Sequence, residues 1–169
     1  NSSWNLKRIL SLGVNKPNKV ISYPTDIASL KPTQQGVVEL KNRLKIKEGL
    51  VVMCIGRLAY KKGFSYLVKA LPKIVKKNPN VTLVIGGDGD LREHLEKLVD
   101  NLSVRKNVRF VGNIPRDEIL VYYNMADVFV SPSVVDDAGN VDGGPVVAFE
   151  SMACGKPQIA TNILGVADF

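Results

Sequence analysis

The chain has 169 residues, 45% of them hydrophobic and 23% charged, and carries a formal net charge of +7. That length suits one α/β domain with a real core, and the composition is that of an ordinary soluble globular protein without repeats or low-complexity tracts. No run approaches the ~18 apolar residues of a membrane span, and the surplus of positive charge points to an anionic partner: phosphate, nucleic acid or an anionic lipid surface.

The first residues, Asn1-Ser2-Ser3-Trp4, show neither a signal peptide nor an initiator Met, so the chain reads as a piece of a longer one. A short β-rich run is expected at Lys19–Tyr23, then a loop over 24–36 and a helix over Val37–Leu44. Leu50–Ile55 is a continuously apolar strand that ends in Gly56-Arg57-Leu58 and Lys62-Gly63. Phe64–Lys77 has apolar spacing near 3.6, with Lys69, Lys73, Lys76 and Lys77 opposite the apolar stripe, so part of the net charge belongs to a solvated helix face. Asn78-Pro79-Asn80 stops that helix. Strand Val81–Ile85, helix Leu91–Leu102, strand Val108–Val111, helix Arg116–Met125 opened by Pro115, and strand Asp127–Ser131 follow. Helix Val146–Cys154, opened by Pro145, and strand Gln158–Ala160 complete the pattern. Alternating strands and helices with apolar strands predict a doubly wound, mostly parallel sheet with helices on both faces. Cys54 and Cys154 lack CxxC spacing and read as buried thiols of a reduced, cytosolic protein.

Two sets of residues have the chemistry of a site. Arg57 and Lys62 follow a strand's carboxyl end, where an open α/β sheet holds its ligands. An Arg fork and a Lys point charge suit a diphosphate, although two solvated cations on a turn would look the same. Asp142 stands in a Gly-rich loop and Glu150 eight positions later in the following helix, among Val146, Val147, Phe149, Met152 and Ala153. A carboxylate in such company needs partners, which the paired hydroxyls of a ribose supply; stabilising its own helix is the simpler alternative. Gly143 and Gly144 would let the backbone approach a ligand closely, and the helix opened by Pro145 and Val146 would direct its free N–H groups and positive dipole end toward an anion. Cations and carboxylates together suit a nucleotide-activated sugar.

In order along the chain, Gly56-Arg57-Leu58 with Lys62-Gly63, Val84-Ile85-Gly86-Gly87-Asp88-Gly89, Val108-Arg109-Phe110-Val111-Gly112, Tyr122 to Val128, Ser131-Pro132-Ser133 and Asp142 through Pro157 resemble the donor-binding domain of group 1 (family four) glycosyltransferases with twin-Rossmann architecture. Each motif alone is weak, but the ordered set is specific and covers nearly the whole chain. The resemblance implies that residues 1–169 are a nucleotide-sugar donor-binding domain, lacking an N-terminal acceptor domain and the closing C-terminal helices. It further implies transfer of a sugar to an acceptor hydroxyl with retention of anomeric configuration. Arg57 and Lys62 would hold the donor diphosphate and stabilise the departing nucleotide. Glu150 would bind the ribose, and Asp142 the transferred sugar. Asn113 and Ile114 would meet the base through their backbone. The family usually has Glu where Asp142 stands, and Asp reaches roughly 1.5 Å less far.

No cofactor or metal is expected, since the two cations would neutralise the diphosphate. Asp136-Asp137 are adjacent, Asp88-Gly89-Asp90 sits in a Gly-rich turn, and the one histidine, His94, reads as solvent-exposed on a helix. The expected partners are the nucleotide-sugar donor and a glycan, lipid or small-molecule acceptor bound mainly by the missing domain, with no nucleic acid. Peripheral association with the cytoplasmic face of a membrane is compatible with this reading, and the piece alone is expected not to turn over. The alternatives are a nucleotide-sugar epimerase of the same architecture or a non-catalytic nucleotide-sugar-binding homologue. A dehydrogenase fits poorly, because Arg92 stands where the third glycine of G-x-G-x-x-G belongs. Scattered aromatics disfavour a nucleic-acid-binding module.

Overall fold

The computed structural model describes residues 3–14, 16–19, 26, 28–142 and 146–163. Among them are five strands: β1 (Val51–Ile55), β2 (Thr82–Gly86), β3 (Val108–Gly112), β4 (Val128–Ser131) and β5 (Gln158–Ala160). They form one sheet in the order β3-β2-β1-β4-β5, every pairing parallel. The helices are α1 (Ser3–Ser11), α2 (Val37–Arg43), α3 (Phe64–Lys77), α4 (Arg92–Asn101), α5 (Ile119–Met125) and α6 (Val146–Ala153).

Because successive strand residues point to opposite faces, each apolar strand feeds two cores. Cys54 of β1, Leu83 and Ile85 of β2, and Val130 of β4 pack with Phe64, Leu67, Val68 and Leu71 of α3 and Leu95 and Val99 of α4. Val51, Met53, Val84 and Phe129 pack on the other face with Val37 and Leu40 of α2, Tyr122, Tyr123 and Met125 of α5, and Cys154 just past α6. Right-handed crossovers account for this division. The chain builds β1, β2 and β3 in one direction, with α3 and α4 on one face. It then returns to the other side of β1, so the later helices cover the opposite face.

α3 runs through Pro72 without breaking. A proline inside a helix costs about 3 kcal/mol, but α3 buries Phe64, Leu67, Val68 and Leu71, each worth about 1.5–3 kcal/mol, so packing prevails.

The strand and helix expectations from Leu50 onward hold to within a few residues at their ends. Pro115 is a correction: it does not open a helix. Residues 116–118 form a turn, the Glu118 N–H donates to the Pro115 carbonyl at 3.1 Å, and α5 starts only at Ile119. The cause is local: Arg116, Asp117 and Glu118 are three successive charged side chains, and apolar burial starts with Ile119. Helix α1 was not foreseen, although Leu6, Ile9 and Leu10 have helical spacing. The strand expected at Lys19–Tyr23 lies, apart from Lys19, outside the described residues.

The loops after β1 and β4 touch at backbone distance. Gly63, the residue before α3, has φ +71°, and a Cβ there would sit 1.7 Å from the Pro132 carbonyl oxygen. Gly63→Ala is therefore expected to lower stability by more than about 2 kcal/mol, combining left-handed backbone strain with a forced separation of the loops. Urea denaturation should show a lower midpoint at unchanged slope. A midpoint equal to that of the wild type would mean that the two loops part without cost.

Candidate functional site

Strand order reverses at the β1–β4 boundary: the chain leaves β1 toward β2 and leaves β4 toward β5. The crossovers after them leave in opposite directions, and the carboxyl ends of such a pair of strands are where an open α/β sheet forms its ligand crevice. Lys62, on the short 3₁₀ turn Tyr60–Lys62 between β1 and α3, reaches across it, its Nζ 2.5 Å from Oδ2 of Asp142. The side chains are 21% and 12% exposed, so the pair is largely withdrawn from water. The buried Ser133 hydroxyl donates to the same Asp142 oxygen at 3.3 Å. The Val134 N–H donates to the Lys61 carbonyl at 2.9 Å, and the Thr161 hydroxyl to the Ser133 carbonyl at 2.6 Å. Both loops thus fix the pair.

Glu150 lies in the second turn of α6. Its Oε2 accepts a 2.6 Å hydrogen bond from the hydroxyl of Tyr123 on α5. Tyr123 is fully buried, its ring 5.9 Å from that of Phe129 on β4. Burial, reinforced by the carboxylate, pushes the phenol well above its ordinary range, so it remains a donor at any physiological pH. Glu150 lines a cavity of about 850 Å³ with Leu30, Ile114, Arg116, Ile119 and Val146. A neighbouring cavity of about 510 Å³ shares Ile114 and Ile119 and is lined further by Gly56, Arg57 and Asn113.

The described residues among those expected from the sequence fall into three groups on the loops at the carboxyl ends of the strands and on α6. Lys62 and Asp142 meet directly, while Glu150, Val146 and Ile114 share the larger cavity. Arg57 and Asn113 share the smaller one, and Ile114 borders both. Arg57 and Lys62 do not converge on a common partner: Arg57 is exposed, and its Nη2 lies 3.4 Å from Oδ2 of Asp90. Gly143, Gly144 and Pro145 lie outside the described residues. His94 is exposed on α4, and Cys54 and Cys154 are unpaired and buried. Burial raises both thiols and keeps them protonated. Among the described residues no three His, Cys, Asp or Glu side chains cluster as a metal site, and no helix is long and apolar enough to cross a membrane.

Tyr123 and Ser133 were missed as contributors. Each had a signal: a tyrosine on an apolar helix face needs a partner for its hydroxyl, and Ser133 belongs to Ser131-Pro132-Ser133 at a strand end, where ligand loops begin.

The family described as Glycosyl transferases group 1 matches residues 38–169. An uncharacterised glycosyltransferase of Methanocaldococcus jannaschii is 40% identical over 118 residues, 70% of this chain and 28% of that protein. A GDP-mannose-dependent alpha-(1-6)-phosphatidylinositol monomannoside mannosyltransferase of Mycobacterium tuberculosis is 35% identical over 144 residues, 85% of this chain and 37% of that protein. The fold is similar to that of Anabaena HepE in complex with UDP and glucose, with a TM-score of 0.77 and 26% identity over 89% of this chain and 39% of that one. The chain therefore spans between 28% and 37% of the length of the two curated relatives.

The Lys62–Asp142 pair should be measurable as a coupling. A double-mutant cycle of Lys62→Ala and Asp142→Ala, read by chemical denaturation, is expected to give about 1–2 kcal/mol, since each single variant strands a mostly buried charge. The exposed Arg57–Asp90 pair should show no measurable coupling in the same assay. Equal couplings would mean that the crevice is as wet as the surface.

Proposed function

The chain belongs to the group 1 glycosyl transferases, and from that premise we propose that it binds the nucleotide-diphosphate sugar donor of a glycosyl transfer to an acceptor hydroxyl. The observation that carries this reading is the Lys62–Asp142 pair joining the loops after β1 and β4, where the strand order reverses, with Glu150 lining a separate cavity beside Val146 of the same helix, α6. Relatives that act with GDP-mannose or are seen with UDP and glucose support the donor class.

In this proposal Glu150 accepts hydrogen bonds from the ribose hydroxyls, and the backbone of Asn113 and Ile114 meets the base between the two cavities. The segment Gly143, Gly144, Pro145 and Val146 presents the start of α6 to the diphosphate. Lys62 exchanges Asp142 for a phosphate oxygen, and Arg57 turns from Asp90 to the same group. Asp142, released, accepts hydrogen bonds from the sugar. As the bond from the anomeric carbon to the phosphate oxygen breaks, its electron pair moves onto the phosphate, where Lys62 and Arg57 stabilise it. The acceptor oxygen bonds to the anomeric carbon and passes its proton to the departing diphosphate oxygen, which has taken up the electron pair of the broken bond. Transfer retains the anomeric configuration and uses no divalent cation, the two side chains supplying the positive charge. The acceptor belongs mainly to the remainder of the whole protein, and the unpaired, buried Cys54 and Cys154 favour a reducing, cytoplasmic setting for it.

Calorimetric titration with UDP, GDP and ADP tests the site. One nucleotide should bind selectively, and Lys62→Ala should weaken it by about tenfold or more, the loss of one charge-assisted contact. Asp142→Asn should bind that nucleotide at least as tightly as the wild type, because it no longer competes for Lys62. Absence of binding to all three nucleotides would sink the donor-site reading.

A further inference from the structure

The carboxylate of Glu150 is not free to rotate. Its Oε2 is bound at 2.6 Å by Tyr123, whose hydroxyl reaches it from a neighbouring helix through the packed side of the sheet. The tyrosine ring has no freedom of its own: it is wholly buried against Phe129 and anchored on a helix whose Tyr122, Asn124 and Met125 are buried too. Asn124 of that helix binds the segment before α2, its amide donating to the Lys31 carbonyl at 3.1 Å and its Oδ1 accepting from the Thr33 N–H at 2.9 Å. The position of Tyr123 is thus set by the core, and the position of the Glu150 carboxylate is set by Tyr123.

We propose that Tyr123 is a positioning residue for ribose recognition: it holds one oxygen of Glu150 and leaves the other presented to the cavity, which sets the preference for a ribonucleotide over its 2′-deoxy counterpart. A carboxylate that must accept two adjacent hydroxyls needs a fixed plane, because each hydrogen bond weakens steeply when bent. A carboxylate clamped by a buried donor meets this requirement before the ligand arrives, so little rotamer freedom is lost on binding. The inference rests on the donor-site reading above.

The experiment compares UDP with 2′-deoxy-UDP and GDP with 2′-deoxy-GDP, titrated into the full chain as wild type and Tyr123→Phe. The wild type should favour the ribonucleotide by about tenfold. Tyr123→Phe keeps the ring and its packing, and should lose most of that preference by weakening the ribonucleotide while leaving the deoxynucleotide unchanged. A merely structural role would weaken both nucleotides alike and keep the ratio. Glu150→Asp, which leaves Tyr123 and the core intact but draws the carboxylate back by one methylene, should lose the same preference. It serves as the second variant if Tyr123→Phe fails to fold. A wild-type ratio retained in Tyr123→Phe overturns the positioning role while leaving the donor site standing, and one retained in Glu150→Asp overturns it together with the ribose contact of Glu150. A wild type that binds none of the four nucleotides overturns the donor site and the positioning role together.

Discussion

An ammonium and a carboxylate mostly withdrawn from water join the loops after β1 and β4. Ion pairs of this kind contribute little to net stability, because desolvation offsets most of their attraction. Their value lies in what happens when one partner is exchanged. Lys62 cannot stand alone at 21% exposure without loss, and neither can Asp142 at 12%. A ligand that brings negative charge to Lys62 and hydroxyl donors to Asp142 satisfies both at once. A ligand bringing only one of the two leaves the other charge stranded. The crevice is in this sense biased toward a molecule that carries phosphate and polyol side by side.

The rest of the fold holds that geometry. Gly63 lets α3 begin against the Pro132 carbonyl, which brings Lys62 within reach of the β4 loop. Gly87, with φ +108°, comes so close to Gly56 that a Cβ would lie 2.0 Å from its carbonyl oxygen. The Leu58 N–H donates to the Asp88 carbonyl and the Leu91 N–H to the Leu58 carbonyl, each at 2.9 Å, so the loops after β1 and β2 are stitched by backbone. On the other face, α5 and α6 pack together and Tyr123 carries the rigidity of the core to Glu150. Polar side chains in the crevice are thus borne by backbone that has little room to shift.

Much of this was legible in the sequence, and the reason is period. Strands such as Thr82–Gly86, buried at every position, and helices such as Phe64–Lys77, with a four-residue buried stripe, are written in local spacing. Arg57, Lys62 and Asp142 were legible as chemistry because each stands beside a glycine, and Glu150 because it is a carboxylate in an otherwise apolar helix. The partnerships were not. Lys62 and Asp142 are 80 residues apart, and Tyr123 and Glu150 are 27 apart on different helices. Which side chain meets which depends on strand order and helix rotation, and neither leaves a local trace. The Pro115 turn was misread for a related reason: a proline's fixed φ serves a turn as well as a helix start, and the choice falls to the first residue able to bury itself.

The strand order also has a kinetic side. β1, β2 and β3 are consecutive in sequence and pair in sequence order, so a three-stranded unit with α3 and α4 can assemble from neighbours. β4 must travel back to β1, matching Val128 with Val52 and Phe129 with Met53 across the whole of that unit. Closing so long a loop delays contact formation. The side of β1 that completes the crevice is therefore expected to join late, since its partner strand ends only at Ser131. Until then the apolar edge of β1 is open to other strands, and this interval is when the nascent chain is most exposed to mispairing.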